Sequence, residues 1–461
     1  MVECDEWRRY CGGVRVLEST GNKIKITIFV VFAIASLSGC FRVAADDLYS
    51  LPQATEEYIR IQEHINTVLR DGAVFSPPMG GPNRQSVQII DLTGNGVEEV
   101  IAFFAIPYDS TLLIYIFEMV DGDYVVAEII EGVGTAIESV SYVDMDGDGV
   151  MELVVGWQLG AALKHMSIYS IRGFQSVLLV EKEFTAMTVY DMNGDGCENV
   201  IVLRLPSQET GAVAEVLTLM PDGEIVGSEA RLSNGVETIS RILPGRLNDG
   251  VPALFIESEG RFDTGVLVTD ICILREKILM NITVKAPSGI SEDTVRMQIL
   301  SSDIDNKGVI KVPIPRLLKA QSETSYHAID WYSFDSAGNS SLMLSTYHSS
   351  DDWYLILPFD WRGMVYVRRE DVVAGERTVI FSYIVGQDGP FEDFLKVYKL
   401  SGDMRMARAV LPGRAMLMSE GSAVYVFEIL AQPNSFGLTF DEALIRDNFR
   451  LIFSDWLAGT V

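Results

Sequence analysis

The chain is poor in the residues that most often do chemistry. It has four histidines, His64, His165, His327 and His348, and no two of them, nor any with a cysteine pair, are spaced as metal ligands. Cysteine is nearly as scarce: Cys4, Cys11, Cys40, Cys197 and Cys272 outline no disulfide framework, and 461 residues hold enough core not to need one. G-x-S-x-G, a P-loop and a strand-following G-x-G-x-x-G are all absent. Positive charge is in deficit too, with 36 Lys+Arg against 64 Asp+Glu and a net charge of −28. That balance excludes a phosphate-backbone partner, because nucleic-acid binding is driven by basic neutralisation. It also disfavours docking of the folded part on anionic lipid. Apolar residues are abundant at 48%, which excludes wholesale disorder.

Near the N-terminus, Lys23 and Lys25 precede an uncharged, largely apolar run from Ile26 to Gly39 that ends Leu37-Ser38-Gly39-Cys40. Fourteen residues are too few to span a bilayer and suit a signal-peptide core. The Leu-Ser-Gly-Cys ending resembles a bacterial lipobox. The resemblance implies a signal peptide over 1–39 and a lipid on Cys40, hence an extracytoplasmic chain anchored to the bacterial cell membrane. The alternative is a plain secretory signal with Cys40 incidental.

The informative abundance is of aspartate and glycine in one recurring pattern. Three segments align without gaps: VQIIDLTGNGVEEVIAFF (87–104), VSYVDMDGDGVMELVVGW (140–157) and MTVYDMNGDGCENVIVLR (187–204). Position one of each loop is Asp91, Asp144 or Asp191. Position three is Thr93, Asp146 or Asn193, position five is Asn95, Asp148 or Asp195, and position nine is Glu99, Glu152 or Asn199. Oxygen ligands so spaced suit a hard cation such as calcium. A helix–loop–helix site also needs a bidentate acid at position twelve, which here is Ala102, Val155 or Val202, each inside an apolar run. The flanks alternate and are rich in β-branched and aromatic residues, so the loop is expected to join two strands.

Successive loops open 53 and 47 residues apart, a degenerate copy occupies 245–257, and another opens at Asp303. Between loops further strands are expected at 111–119, 123–130, 166–171 and 176–183. A period near 50 with several strands per unit points to a propeller. These residues resemble the FG-GAP or VCBS repeats, also found in integrin α-chain propellers, over roughly residues 75–340. In that family the side chains at positions 1, 3, 5 and 9 and the carbonyl of position 7 bind calcium. The resemblance therefore implies structural calcium held by Asp144, Asp146, Asp148 and Glu152; by Asp191, Asn193, Asp195 and Asn199; and by Asp91, Thr93, Asn95 and Glu99. In the fifth loop Lys311 stands at position nine, so no ion is expected there.

Residues 55–70 read as a helix capped by Thr55, with Ile61, Ile65, Val68 and Leu69 on one face and Gly72 ending it; His64 reads as a surface residue. Beyond 350 the loop repeat stops. Residues 439–459 read as an amphipathic helix with a Thr439/Glu442 capping box and a stripe of Ile445, Phe449, Ile452, Phe453 and Trp456. Trp331, Trp353 and Trp361 are either strand core or, if exposed, platforms for sugar rings.

The resulting expectation is a mainly β chain: a signal peptide (1–39), a linker and helix (40–74), a β-propeller of about five to seven blades (75–349) and a small C-terminal α+β unit (350–461). A last blade closed by the C-terminal segment is the alternative for that unit. The expected role is a calcium-stabilised module binding a protein or a glycan. Competing expectations are an envelope-bound hydrolase or lyase using carboxylates, and a structural envelope component.

Overall fold

The computed structural model of the protein describes residues 56–108, 111–132, 134–161, 163–207, 211–261, 265–318, 326–384, 390–430 and 441–452. The apolar run with Cys40, the cap Thr55, and Thr439, Phe453 and Trp456 lie outside these residues. The chain divides into two units, Met1–Glu63 and His64–Val461. Helix α1 (Glu56–Arg70) begins in the first and ends in the second, where Gly72 at φ 101° closes it by donating to Leu69 O. Among the described residues no helix is long and apolar enough to cross a membrane.

The second unit is mainly β, and its described residues form six antiparallel sheets that follow one another along the chain. The first contains Val87–Ile90, Glu99–Ile106, Thr111–Val120 and Asp123–Gly132, with the short strand Val74–Phe75 beside the second of these. The second sheet is Ala136–Val143, Glu152–Gln158, Lys164–Ser170 and Val177–Phe184. The third is Ala186–Tyr190, Asn199–Arg204, Val213–Leu219 and Ile225–Arg231. The fourth, from Val236–Arg246 to Ile278–Asn281, and the fifth, from Val312–Leu318 to Trp353–Leu357, repeat the up-and-down order. The sixth runs from Val365–Glu370 to Ala423–Ile429, with Arg414–Glu420 as its outer strand.

Each sheet shares an apolar cluster with the next. Ile101 and Phe103 of the first pack with Val140 and Val155 of the second. Val154 and Ile168 of the second meet Val200 and Val202 of the third. Ile201 meets Leu254, Phe255 meets Val312, and Leu355 meets Val367 across the next three seams. Strands buried on both faces read as continuous apolar runs rather than alternating ones. This explains why the strand after each loop, such as Glu152–Gln158 or Asn199–Arg204, is buried along almost its whole length. Each Val, Ile or Phe so buried contributes about 1.5–3 kcal/mol relative to exposure. The fourth strands, Asp123–Gly132, Val177–Phe184 and Ile225–Arg231, are mostly open to solvent.

Two sequence expectations change here. The boundary drawn at 349/350 runs through a hairpin, since Ser340–Ser349 pairs with Trp353–Leu357. Among the described residues beyond 350, Trp353–Leu357 and Phe449–Leu451 belong to the fifth sheet and the strands from Val365–Glu370 to Ala423–Ile429 form the sixth. The helix expected over 439–459 is shorter. It spans Glu442–Asn448 (α3, after α2 at Arg405–Ala409), and Asp441 caps it by accepting from Leu444 N at 2.7 Å. Phe449–Leu451 is then extended and pairs with Trp353–Leu355. That pairing satisfies the open edge of the fifth sheet while Ile445 and Phe449 still reach the core.

Candidate metal loops

The three aligned loops join the first and second strands of the first three sheets. Position twelve of each, Ala102, Val155 and Val202, is fully buried within the second strand, as strand–loop–strand geometry requires.

The loops are held by their own side chains. The position-one aspartate turns both oxygens onto loop N–H groups. Asp91 accepts from Asn95 and Gly96, Asp144 from Gly147 and Gly149, and Asp191 from Gly194 and Gly196, at 2.6–3.1 Å. Position five accepts from the N–H two residues on: Asn95 from Val97, Asp148 from Val150, Asp195 from Cys197. Position nine reaches back to the N–H of position two, Glu99 to Leu92 at 2.7 Å, Glu152 to Met145 and Asn199 to Met192 at 3.1 Å. Position two is itself a buried apolar plug, since Leu92, Met145 and Met192 are all within the core. Ligand spacing gave no sign of this clamp, and it shows why asparagine can serve at position nine, since an amide oxygen accepts the same bond. The position-eight N–H joins loop to loop: Met151 donates to Leu92 O at 2.9 Å and Glu198 to Asp144 O at 3.1 Å.

The second loop stands apart in charge. Oxygens of Asp144, Asp146 and Asp148 lie within 4.8 Å of one another, the one such gathering of three acidic, histidine or cysteine side chains among the described residues. Beside them Glu152 is fully buried; its Oε2 takes the Met145 N–H and its Oε1 has no hydrogen-bond partner. Burial first, then the charges of Asp146 and Asp148, pushes the Glu152 carboxyl up to about 7. An orphaned buried oxygen next to three hard oxygen donors fits a divalent cation of the calcium type. The first loop, with Thr93 and Asn95, and the third, with Asn193 and Asn199, offer fewer formal charges. In the third loop Asn193 Nδ2 donates to Asp195 Oδ2 at 2.7 Å.

The fifth loop does not fit a divalent ion. The Lys311 ammonium, on a fully buried side chain, lies 2.5 Å from Asp305 and 3.5 Å from Asp303, and Lys307 adds a second positive charge 3.3 Å from Asp305. The fourth, degenerate loop keeps only the plug, Leu247, and one acid, Asp249, which accepts from Ser336 N at 2.9 Å. Trp331 and Trp353 are buried strand core, and Trp361 is buried at the end of the short turn Phe359–Trp361.

The sequence matches no protein-family model and no curated protein. Among solved structures, Sqt1 from Chaetomium thermophilum is similar at 12% identity over 74% of this chain and 94% of its own, with a TM-score of 0.28. Sqt1 from Saccharomyces cerevisiae is similar at 11% identity over 78% of this chain and 100% of its own, with a TM-score of 0.27. Likeness at this level leaves any assignment to the chain's own residues.

Proposed function

We propose that the chain is a lipid-anchored extracytoplasmic binding protein whose six sheets are the blades of a β-propeller stabilised by calcium. The observation that carries the calcium reading is the second loop: three aspartates converge beside Glu152, whose buried Oε1 lacks a partner. Asp144, Asp146, Asp148 and Glu152 would hold the tightest ion. Asp191, Asn193, Asp195 and Asn199, and Asp91, Thr93, Asn95 and Glu99, would hold weaker ones, since fewer ligand charges lower affinity. Six consecutive antiparallel sheets of four or five strands, each sharing core with the next, support the propeller reading. The anchor reading rests on Leu37-Ser38-Gly39-Cys40.

A propeller presents rigidly held connecting loops, which suits recognition of another molecule. Of the two ligand classes considered, protein is favoured, because the tryptophans at 331, 353 and 361 are buried and offer no platform for sugar rings. The carboxylate-hydrolase reading finds less support. Buried Glu257 is spent on Arg296 and Arg241, buried Asp270 on Ser233, Ser291 and Asn281, and buried Asp330 on Arg316, Arg362 and Ser345.

The test is thermal unfolding of the chain from Cys40 onward with calcium and with chelator, alongside elemental analysis. A rise in midpoint with calcium and bound calcium by analysis are expected; equal midpoints and no bound calcium would end the reading. The anchor is tested separately by Cys40→Ser, which should abolish lipid labelling and release the chain from the membrane fraction.

A further inference from the structure

The second loop has a cation of its own. Arg172 Nη2 stands 2.6 Å from Asp146 Oδ2 and 2.6 Å from Asp148 Oδ2. It comes from the turn Arg172–Phe174, which joins Lys164–Ser170 to Val177–Phe184 in the same sheet. That turn is firmly seated. Ile171 before it is fully buried, Phe174 packs on the cluster between the first and second sheets, and Phe174 N donates to Ile171 O at 3.0 Å. Gly173 and Phe174 both adopt left-handed backbone, at φ 62° and 55°. A bulky residue holds that conformation only where its surroundings over-determine it.

We propose that Arg172 is a tethered counter-cation that competes with the divalent ion for Asp146 and Asp148 and thereby sets the affinity of the second loop. This rests on the calcium reading above. The guanidinium occupies one oxygen of each of two carboxylates that would hold the ion, and its positive charge repels a divalent cation placed beside it. Its single charge leaves Asp144 and Glu152 without a cationic partner of their own, so it supports the ion-free loop without neutralising it. The contrast with Lys311 shows why Arg172 competes rather than replaces. The Lys311 side chain is 1% exposed and locked in place, whereas that of Arg172 is 53% exposed and can swing into water. Ion pairs so exposed are weak and screened by salt, so the competition amounts to about two- to fivefold in affinity.

The experiment is calorimetric titration of the chelator-stripped chain with calcium chloride, with thermal midpoints in chelator as a second readout. Wild type is compared with Arg172→Gln, Arg172→Lys and Arg261→Gln, the last removing the same charge from an exposed pair with Glu237. Arg172→Gln should bind calcium about two- to fivefold more tightly and unfold at a lower temperature in chelator. Arg172→Lys should stay near wild type, and Arg261→Gln should change neither quantity. Unchanged or weaker binding by Arg172→Gln, with wild type binding normally, overturns the competition while leaving the calcium site standing. No calcium bound by either protein overturns the site itself, and the competition with it.

Discussion

The second loop, residues 144–152, and the fifth, residues 303–311, share a backbone and oppose each other in electrostatics. In both, the position-one aspartate gathers loop N–H groups onto its two oxygens: Asp144 those of Gly147 and Gly149, Asp303 those of Lys307 and Gly308. In both, position two is a buried plug, Met145 or Ile304. At position nine they part. Glu152 adds a fourth carboxylate and leaves an oxygen unpartnered, whereas Lys311 supplies an ammonium that closes the site. In both loops, then, side chain-to-backbone hydrogen bonds fix the same backbone shape. The difference lies in how like charge is relieved: by a buried lysine in the fifth loop and by a half-exposed arginine in the second.

The largest expected effect breaks the fifth loop. Lys311→Met removes the buried ammonium, leaving Asp305, whose side chain is 10% exposed, with Lys307 alone and Asp303 with no cation. Losing one partner of a buried ion pair costs about 3–5 kcal/mol, so denaturant unfolding should show a loss of that order. The pH dependence sharpens the test. Burial works against it, yet Lys311 and Lys307 hold the Asp305 carboxyl below its ordinary value. A depressed carboxyl contributes stability that is present above its unfolded pKa and lost as pH falls through its folded one. Wild type should thus lose stability on acidification through the range below pH 4, and Lys311→Met should show a shallower fall there.

The next effect belongs to the second loop. At a hundredfold excess over its dissociation constant, a ligand specific to the folded state stabilises by about 2.7 kcal/mol. Asp146→Ala removes a ligand and should abolish most of the calcium-dependent gain. In chelator it should leave stability nearly unchanged, because relief of carboxylate crowding offsets the weak pair with Arg172. A variant that kept the full calcium gain would show that the loops' ion, if any, sits elsewhere.

How far these features could be read from the sequence depends on how local they are. The strand–loop–strand identity was legible because Ala102, Val155 and Val202 sit in apolar runs where an acid was required. So was the closure of the fifth loop, because Lys311 falls within the motif itself. Arg172 was not legible: it reaches the loop from the turn between the third and fourth strands, at the same end of the sheet but 26 residues from Asp146, and nothing in its own neighbourhood marks it. The position-nine clamp was hidden because a glutamate that ligates and one that accepts an N–H look alike in sequence. The sixth sheet was legible only as the alternative of a last blade, because its first two strands are joined by Asp-Val-Val-Ala-Gly, residues 371–375, rather than by an aspartate loop. The motif marks cation chemistry, while the sheet is marked only by apolar patterning. At 449–451, likewise, a helical apolar stripe and a short strand demand the same buried Phe449, and the free edge of the fifth sheet decided between them.

The smallest expected effect tests whether the loops act singly or as a stacked row, and uses two glycines of the first loop. Gly96 has φ 83° with open space where a side chain would go, so Gly96→Ala meets only backbone strain, about 1–2 kcal/mol. Gly94 has φ 68°, and a Cβ there would clash with the carbonyl oxygen of Gly149 in the second loop. Gly94→Ala must therefore also push the loops apart, against the Met151-to-Leu92 hydrogen bond that ties them. If the row is one packed structure, Gly94→Ala loses more stability than Gly96→Ala. It also weakens calcium binding at the second loop, which Gly96→Ala leaves alone. Equal losses for the two variants, with calcium affinity unchanged in both, would mean that the first and second loops yield independently and that their contact is incidental.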